Sequence, residues 1–375
     1  MRSSESFFEV SEMKNTFGNN ISITLFGESH GEAIGCVLDG IAPGIEIDEE
    51  YIAAQTEKRK GISSISTPRR EADKVRILSG VFEGKTTGTP IAFMIENQSQ
   101  HSKDYSETKD LARPSHADFT AECKYHGYQD YRGGGHFSGR ITAPIVAAGA
   151  VCLKALEKKG IIIGTHISFC AGIKDRGFDN LVDDIALLSD KEMPVLCEEA
   201  ERAMISAIEE AKNDGDSVGG ILTTAVVGIP AGVGEPWFDT VEGTLAHALF
   251  SIPAIKGVEF GLGFGFADGK GSTVNDEFLT ENGRVQTKTN NNGGINGGIT
   301  NGMPIIFSCA VKPTPSVFKQ QNTVNFKTGE NAVFTLKGRH DPAIIHRARV
   351  VVDSITAITL CDLLVTRFGT DWLGE

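Results

Sequence analysis

The order of the predicted helices and strands constrains the fold of this chain more than any single motif. Apolar residues recur at helical spacing in residues 196–211, from 138–142 to about 158, and in 348–364, and shorter helices are predicted at 49–58 and 240–249. The strand-like runs between them are residues 21–26, 75–82, 91–96, 164–171, 219–227, 257–266 and 305–312. Strands and helices do not alternate regularly, so the sequence predicts an α+β fold and not a doubly wound sheet.

The composition indicates a globular protein and excludes several classes of partner. With 40% hydrophobic residues, a chain of 375 residues can bury a large core. Its formal net charge of -13 argues against nucleic acid or an anionic membrane as the main partner. No apolar run approaches the roughly 18 residues of a spanning helix, and the N-terminus lacks the basic and apolar regions of a secretory signal. We therefore expect a cytoplasmic protein without a nucleic-acid or membrane partner.

Cysteine and glycine are distributed in different ways, and each pattern is informative. The seven cysteines are scattered and never form a C-x-x-C pair, which favours reduced thiols over a metal site or a disulfide framework. Glycine makes up 43 of the 375 residues and is clustered. Clusters of glycine indicate special turns close to functional backbone.

Residues 113–140 are too polar to form a core and have the composition of an anion-binding site. The stretch begins with RPSHAD at residues 113–118 and ends with RGGGHFSGR at residues 132–140. Glycines let a backbone approach a ligand closely, and guanidinium groups match the geometry of carboxylate and phosphate oxygens. Because the protein as a whole is acidic, this local basicity favours a small, multiply charged substrate over a polyanion. The chain is therefore predicted to be an enzyme.

Two histidines are candidates for proton transfer. His30 follows the predicted strand 21–26 in the sequence GESHG, and a structural role and a catalytic role are about equally compatible with that position. Near the second histidine, Ser115 is predicted to be the N-cap of a helix with Asp118 three residues later, which places His116 in the first turn. The helix dipole there disfavours the imidazolium, so a bound anion would be needed to charge it. This arrangement suits a proton donor that is charged by its own substrate.

Four further segments are compatible with both a functional and a structural interpretation. Residues 339–342, RHDP, combine a cation, an imidazole and a carboxylate, and they equally predict a helix start with the aspartate as N-cap. Residues 312–316, KPTPS, fit a phosphate-binding turn or a simple strand end. The loop 58–73 fits a basic lid over a ligand or a solvated charge run. The Gly- and Asn-rich loop 266–302 fits a phosphate-wrapping segment or a surface excursion.

Five motifs of this sequence, taken in order, resemble the chorismate synthase family. They are GESHG at 27–31, RPSHAD at 113–118, YRGGG at 131–135, KPT at 312–314 and GRHDP at 338–342. Each motif is weak by itself, but five in register are specific. The resemblance extends from about residue 15 to residue 364.

The resemblance implies an enzyme of the last common step of aromatic amino-acid biosynthesis. The family removes phosphate from 5-O-(1-carboxyvinyl)-3-phosphoshikimate by 1,4-elimination and gives chorismate, using reduced FMN without net redox change. NADPH is implied as a reductant if the protein reduces its own flavin, and a separate flavin reductase is the alternative. The resemblance also implies a cytoplasmic homotetramer, one domain over residues 1–375 with 1–12 as an N-terminal extension, and helices sandwiched between two antiparallel β-sheets.

Position by position, the resemblance implies three kinds of site residue and no metal ligand. Catalytic roles are implied for His30, His116, Asp341, Ser29 and Ser138. The substrate, which carries one phosphate and two carboxylates, is expected to bind Arg59, Arg69, Arg113, Arg140 and Arg339. Contacts with the flavin or the nicotinamide nucleotide are implied for Lys58, Arg59, His136, Phe137, Ser138, Pro253, Ala254, Gly297, Lys312, Pro313, Thr314, Pro315, Ser316 and Arg339.

The resemblance also implies the part that each catalytic side chain plays. His116 is similar to the histidine that serves the leaving phosphate, and His30 is similar to the one that protonates or holds the reduced flavin. Asp341 resembles the carboxylate beside flavin N5 that helps to move the ring proton. Lys58 falls at a position where bifunctional members carry an arginine for the nicotinamide nucleotide, and Ser64 falls where many members carry another arginine.

Overall fold

The secondary structure comes from a computed structural model that describes residues 14–62, 64–66, 73–98, 109–335 and 341–375. Its α-helices are α1 (Glu49–Glu57), α2 (Asp118–Tyr125), α3 (Thr142–Lys158), α4 (Leu181–Ser189), α5 (Glu198–Asn213), α6 (Val241–Leu249), α7 (Gly271–Val274), α8 (Ile345–Phe368) and α9 (Thr370–Gly374). Short 3₁₀ helices cover Arg132–Phe137, Gly139–Ile141, Trp237–Asp239 and Gly263–Asp268.

The strands of the same residues vary from two to nine residues in length. They are β1 (Thr16–Phe17), β2 (Ser22–Gly27), β3 (Ala33–Asp39), β4 (Val75–Ser79), β5 (Val81–Phe82), β6 (Lys85–Thr86), β7 (Ile91–Glu96), β8 (Ile162–Cys170), β9 (Ile173–Lys174), β10 (Gly220–Val227), β11 (Ile255–Phe260), β12 (Phe278–Glu281), β13 (Arg284–Thr287), β14 (Ile295–Asn296), β15 (Ile299–Thr300), β16 (Ile305–Val311), β17 (Gln321–Asn325) and β18 (Glu330–Phe334).

Ten of the described strands form two five-stranded sheets. The first sheet has the order β1-β2-β3-β7-β4 and the second has the order β11-β16-β10-β8-β9. All neighbouring strands in both sheets are antiparallel. The other strands pair as two-stranded hairpins. Antiparallel sheets that occur together with separate helices confirm the predicted α+β class.

Two long apolar helices contact both sheets and each other. α3 packs against β3 and β7 of the first sheet, α8 packs against β8 and β10 of the second, and the two helices are in direct contact. Gly149 permits this contact, because a Cβ atom there would lie only 2.3 Å from Cβ of Ser354. Of the described residues, Gly139–Lys158 form the one helix with the length and hydropathy of a membrane span, and 83% of its apolar window is buried inside the protein.

The last long helix also holds the start of the first sheet. Asp362 of α8 accepts hydrogen bonds from the backbone N–H groups of Asn19 (2.9 Å), Asn20 (2.7 Å) and Ile21 (2.9 Å). Hydrogen bonds to a charged group contribute about 1.5 to 3 kcal/mol each. Residues that lie at opposite ends of the sequence are therefore joined before the chain enters β2.

Most predicted elements are confirmed, and several elements were missed. α1, α3, α5 and α6 begin and end close to their predicted bounds, while α8 is longer than predicted at both ends. The missed elements include β3, α4 and the hairpin of β17 and β18. β3 lies in the middle of the first sheet between β2 and β7, so consecutive residues on both of its faces are buried and its sequence lacks the polar alternation of a half-exposed strand.

One predicted strand and one predicted loop differ from the structure. The strand predicted at 257–266 ends at Phe260, because Gly261 and Gly263 have positive φ values of +55° and +53° and break the extended backbone. The loop 266–302 contains α7 and two hairpins. Its Asn-rich segment binds a carboxylate of its own chain, since the N–H groups of Asn291 and Asn292 donate to Asp276 at 2.7 and 2.8 Å.

Candidate active site

A turn of three glycines contacts both histidines that the sequence singled out. Gly133, Gly134 and Gly135 have φ values of +58°, +84° and +52°. A Cβ atom on Gly133 would lie 2.2 Å from Cε1 of His30, and one on Gly134 would lie 3.2 Å from Cε1 of His116. Only glycine tolerates both this backbone conformation and the first of these approaches. Two histidines that are distant in sequence thus lie against adjacent residues of one turn.

Ser29 and His30 lie in the turn after β2 and are held by the same glycine segment. Ser29 Oγ is 2.9 Å from Nδ1 of His30, and it lies within 3.2 Å of the carbonyl oxygens of Arg132 and Gly133. The backbone N–H of Ser29 donates to the carbonyl of Gly135 at 3.1 Å. His30 is only 5% exposed. The imidazole and the hydroxyl therefore form a pair that is shielded from bulk water.

Arg113, His116 and Asp118 form one hydrogen-bonded group just before α2. Arg113 donates to Asp118 through Nε and Nη2, both at 2.7 Å, and through its backbone N–H at 3.0 Å. His116 Nδ1 lies 3.0 Å from Oδ1 of Asp118 and 3.0 Å from Nη2 of Arg113. Burial raises the pKa of Asp118, but the hydrogen bonds from Arg113 and His116 outweigh burial and hold that pKa well below its usual range. Asp118 is therefore an anion that contacts both neighbours.

The predicted capping of α2 is wrong. The helix begins at Asp118 with Ala117 as N-cap and without a capping side chain, so His116 lies in the turn before the helix and not in its first turn. Ser115 has a φ of +59°, which an N-cap residue does not adopt. The carboxylate that a capping box would use is bound to Arg113 instead. Among the described residues, Asp118 and Arg113 are thus the charged groups that form hydrogen bonds with His116.

A cavity of about 280 Å³ opens next to these residues. Ser138, which follows the glycine turn, lines it together with the first residues of α3 and α8 and with Pro253. The lining also contains Arg59, Asp73, Arg140 and Arg347.

Two of the predicted anion-binding arginines share one carboxylate in this cavity. Arg59 donates to Asp73 Oδ2 at 2.9 Å, and Arg140 forms an ion pair with Asp73 Oδ1. Arg140 also donates to Oδ1 of Asn97 at 2.9 Å. The pKa of Arg59 is lowered to about 10, mainly by burial. Asp73 raises this pKa, while the nearby cations Arg347 and Arg140 lower it further. Because two guanidinium groups face one carboxylate, this group carries a net positive charge that favours an anion.

Asp341 forms an ion pair with Arg347, whose side chain lines the cavity. The alternative interpretation of Asp341 as a helix cap is wrong, because α8 begins at Ile345 with Ile344 as its N-cap. Arg347 Nε is buried and has no hydrogen-bond partner among the described residues. Sequence analysis missed Arg347, since it is one of several charged residues in a mainly apolar helix and no motif marks it. Only the packing of α8 reveals that it faces the cavity.

Lys312 connects the predicted cofactor segment at 253–254 to the turn that carries His116. Its Nζ donates to the carbonyl of Ser115, directly before His116, at 2.5 Å, and its backbone N–H donates to the carbonyl of Ala254 at 3.0 Å. Ala254 has a φ of +78°, an unusual conformation for a residue other than glycine. Lys312 thus bridges the His116 turn and Ala254, which follows the cavity-lining Pro253.

The other predicted contact residues differ in their positions. His136 Nδ1 lies 2.8 Å from the carbonyl of Gly27, and Phe137 packs edge-on against Tyr125, so both flank the glycine turn. Lys58 does not line the cavity, and burial together with the nearby Arg349 lowers its pKa.

Gly297 also lies apart from the cavity lining. It belongs to the turn between β14 and β15, which packs against the start of α6 through a hydrogen bond from Val241 N–H to the carbonyl of Gly298 at 2.9 Å. Arg69, Arg339 and the predicted extension 1–12 lie outside the described residues.

Comparison with known proteins identifies the family. Residues 21–365 match the family described as Chorismate synthase. The chain belongs to this family. It is 48% identical over 350 residues to the chorismate synthase of Pyrococcus abyssi, an alignment that covers 93% of this chain and 97% of the relative. With the chorismate synthase of Methanobrevibacter smithii it shares 48% identity over 358 residues, which covers 94% of this chain and 97% of the relative.

A comparison with solved structures indicates the same family as the sequence comparison. The fold matches a crystal structure of chorismate synthase with a TM-score of 0.73 and 30% identity, over 94% of each chain. Family membership confirms the predicted reaction, the loss of phosphate from 5-O-(1-carboxyvinyl)-3-phosphoshikimate by 1,4-elimination to give chorismate. The protein is therefore a carbon–oxygen lyase that acts on a phosphate, and its family uses a reduced flavin.

Proposed function

We propose that this protein performs the elimination with reduced FMN, and that the phosphate and the two carboxylates of the substrate bind the arginines around the cavity. One observation carries the proposal: Arg59 and Arg140 share the single carboxylate of Asp73 at a cavity that Ser138 also lines. The excess positive charge favours a small polyanion, and guanidinium groups suit carboxylates and phosphates. Arg113, together with Arg69 and Arg339, is proposed to complete the set.

The residues beside the cavity fit a flavin mononucleotide. Thr314 Oγ1 is buried and has no hydrogen-bond partner among the described residues, so it is available to a ligand. A Cβ atom on Gly139 would meet no atom within 4 Å, which leaves the backbone at the cavity open. Lys312, Thr314 and Ser138 would hold the cofactor, and the cationic lining favours its reduced, anionic form. The chemistry that reduced FMN supplies when bound is the transient loan of an electron to the substrate, which is returned by the end of the reaction.

The side chains of this protein are proposed to move the two protons of the elimination. As the C–O bond to phosphate breaks, His116 donates a proton to the leaving oxygen. As the ring C–H bond breaks and the new double bond forms, Asp341 accepts the ring proton, and its ion pair with Arg347 orients this carboxylate. His30 and Ser29, buried behind the glycine turn, are proposed to hold a proton at the flavin.

We further propose the finer features of architecture and assembly that the family resemblance implies. The helices form a layer sandwiched between the two antiparallel sheets within one domain, with residues 1–12 as an extension. One cluster of buried apolar residues, with members from both sheets, α3 and α8, supports this arrangement. The exposed aromatic residues Trp237, Phe238 and Phe264 support a homotetramer, because large exposed apolar side chains are typical of subunit contacts. The acidic charge supports a cytoplasmic enzyme without a nucleic-acid or membrane partner.

An anaerobic assay tests the proposed chemistry. Purified protein is mixed with 5-O-(1-carboxyvinyl)-3-phosphoshikimate and photoreduced FMN, and chorismate, phosphate and the flavin spectrum are followed. We expect chorismate and phosphate in equal amounts without net oxidation of the flavin. Product formation that consumed one reduced flavin per turnover would contradict the proposal, as would equal rates with and without FMN.

A second assay decides how the flavin becomes reduced. Oxidised FMN and NADPH are supplied in place of photoreduced FMN. Turnover with this mixture would indicate that the protein reduces its own flavin, and turnover only after addition of a separate flavin reductase would indicate the alternative. Light scattering coupled to size-exclusion chromatography measures the oligomeric state, for which we expect four chains.

A further inference from the structure

We propose that Asp118 is a positioning residue that fixes the tautomer and the orientation of His116, and that Arg113 affects catalysis partly through Asp118. The inference rests on the proposed role of His116 as the proton donor to the leaving phosphate. It adds to that role the carboxylate of Asp118, which is not among the predicted site residues.

The first argument concerns the atoms that face Nδ1 of His116. Asp118 Oδ1 and Arg113 Nη2 each lie 3.0 Å from it. An ionised carboxylate only accepts hydrogen bonds and a guanidinium only donates them, so Nδ1 can satisfy only one of the two. A bare Nδ1 would accept from Arg113 and would place its lone pair against the anionic Oδ1 of Asp118. A protonated Nδ1 would donate to Asp118 and avoid this repulsion.

The second argument concerns what Arg113 already binds. Its Nη2 donates to Oδ1 of Asp118 at 2.7 Å, which is shorter than its distance to His116. Its Nε and its backbone N–H also donate to the same carboxylate. Arg113 therefore loses little when Nδ1 is a donor, and Asp118 gains a further hydrogen bond. All three groups are satisfied only when His116 carries its proton on Nδ1.

The third argument concerns the opposite edge of the imidazole. With Nδ1 bound to Asp118, Nε2 is the ring nitrogen left for a ligand. A Cβ atom on Gly134 would lie 3.4 Å from this Nε2 and 3.9 Å from Cβ of Ser138, which lines the cavity. The His116 side chain is 19% exposed. The ring edge that carries Nε2 thus faces the glycine turn and the cavity-lining Ser138, where a substrate can reach it, while Asp118 occupies the opposite edge of the ring.

A double-mutant cycle tests whether Asp118 acts through His116. Asp118→Asn, His116→Ala and the double variant are compared with the unchanged protein in the anaerobic assay with photoreduced FMN, and kcat and KM are measured separately. We expect Asp118→Asn to lower kcat by about 10- to 100-fold, since proton donation is impaired. KM should change by less than about 3-fold, because the asparagine oxygen still accepts a hydrogen bond from Arg113. The double variant should be no slower than His116→Ala, because residues that act as a unit are not additive.

The matched control removes a carboxylate that binds an arginine in the same way but does not touch His116. Asp130 accepts from Arg132 through Nε and Nη2, both at 2.8 Å, and through the backbone N–H at 3.0 Å. Asp130→Asn should change kcat by less than about 3-fold. An equal loss of kcat in Asp118→Asn and Asp130→Asn would overturn the inference, since it would indicate a general loss of structure around the glycine turn.

The outcomes separate this inference from the proposed function. If His116→Ala keeps full turnover, the proposed role of His116 is wrong and the positioning role falls with it. Two results would overturn the positioning role alone, provided that His116→Ala is slow. One is a kcat of Asp118→Asn equal to that of the unchanged protein. The other is a double variant whose loss of kcat is the product of the losses in the two single variants.

A measurement without substitution at Asp118 covers the case in which that variant does not fold. The full-length protein with ¹⁵N-labelled histidine is examined by long-range ¹H–¹⁵N correlation at pH 8, and the His116 signals are assigned by their loss in His116→Ala. We expect Nδ1 to appear as the protonated nitrogen and Nε2 as the bare one. The opposite pattern would overturn the inference.

Discussion

Two histidine–aspartate pairs in this protein have almost the same local geometry and different surroundings. His116 Nδ1 lies 3.0 Å from Asp118, and His166 Nδ1 on β8 lies 2.9 Å from Asp175. His166 is 1% exposed, and its ring packs edge-on against Phe178 at 4.6 Å between centroids. His116, by contrast, is partly exposed and presents its free edge to a glycine turn.

The two aspartates also have different tasks. Asp175 accepts from the backbone N–H groups of Leu196 at 2.7 Å and Cys197 at 2.9 Å, so it joins the strand to the segment before α5. Burial raises its pKa, but the hydrogen bond from His166 and those from the backbone outweigh burial and lower it. Asp118 instead receives its hydrogen bonds from Arg113 and His116. A His–Asp pair is therefore not in itself evidence of catalysis, and what distinguishes the two is the access of a ligand to the second ring nitrogen.

The largest expected effect comes from truncating the two histidines in the same way. We expect His116→Ala to lower kcat by about 1,000-fold, because it removes the proposed proton donor, and to change the affinity for FMN by far less. His166→Ala should keep kcat within about 3-fold and lower the thermal midpoint, since it removes one hydrogen bond from a buried carboxylate. Anaerobic kinetics, flavin titration and thermal unfolding measure these effects. Equal loss of kcat and of FMN affinity in His116→Ala would contradict the proposal that His116 is catalytic and His166 structural.

The same contrast extends to two arginines, one at the cavity and one beside Asp175. Arg140 is buried at the cavity. Arg176 forms an ion pair with Asp184, and the Arg176 side chain is 40% exposed. We expect Arg140→Met to raise KM for the substrate by about 50-fold, since a charged hydrogen bond to an anion contributes about 1.5 to 3 kcal/mol. Arg176→Met should change KM by less than about 2-fold. Steady-state kinetics of both variants decide, and equal KM values would contradict the assignment of the cavity as the anion site.

Replacing the two aspartates should affect stability more at Asp175 and turnover more at Asp118. We expect Asp175→Asn to lower the free energy of unfolding by about 2 kcal/mol, because it weakens a buried hydrogen-bonded group, and to leave kcat unchanged. Asp118→Asn should lower it by only about 1 kcal/mol although it slows turnover. Urea unfolding followed by circular dichroism gives both values. A greater loss of stability in Asp118→Asn than in Asp175→Asn would show that the first pair is mainly structural.

A third histidine, His346, is buried, and it sharpens the comparison because its partner is a hydroxyl and not a carboxylate. Nε2 of His346 lies 2.8 Å from Oγ of Ser66, and burial together with the adjacent Arg347 lowers the pKa of His346 to about 3. Below about pH 6.5 the unfolded chain binds a proton that the folded protein does not bind, so stability is full above that pH and is lost as the pH falls towards 3.

The contribution of His346 to stability is measured as a slope against pH. We expect the free energy of unfolding to fall by up to about 1.4 kcal/mol per pH unit over that range. His346→Gln keeps a hydrogen-bonding side chain near Ser66. In this variant the slope of the free energy of unfolding against pH should be smaller by the contribution of one proton. Urea unfolding at several pH values measures the slope. An unchanged slope in the variant would show that His346 does not titrate differently in the two states.

The amino-acid sequence predicted those features whose cause is local. Apolar spacing located α3, α5 and α8, and glycine clusters located the turn at 133–135, because periodicity and φ preference depend on neighbouring residues. Local capping rules failed at both helices next to the site. Asp118 and Asp341 bind arginines there, and such long side chains compete with the backbone for the same carboxylate.

The sequence by itself determined the family, through five motifs in register, and with it the reaction and the chemical types of residue at the site. Only the tertiary structure decided that His30 and His116 contact adjacent glycines, that Arg347 faces the cavity while Lys58 does not, and that one His–Asp pair is accessible while the other is buried. These facts depend on how two sheets and two helices pack, and packing joins residues that are hundreds of positions apart. Propensities that act over a few residues carry no information about such contacts.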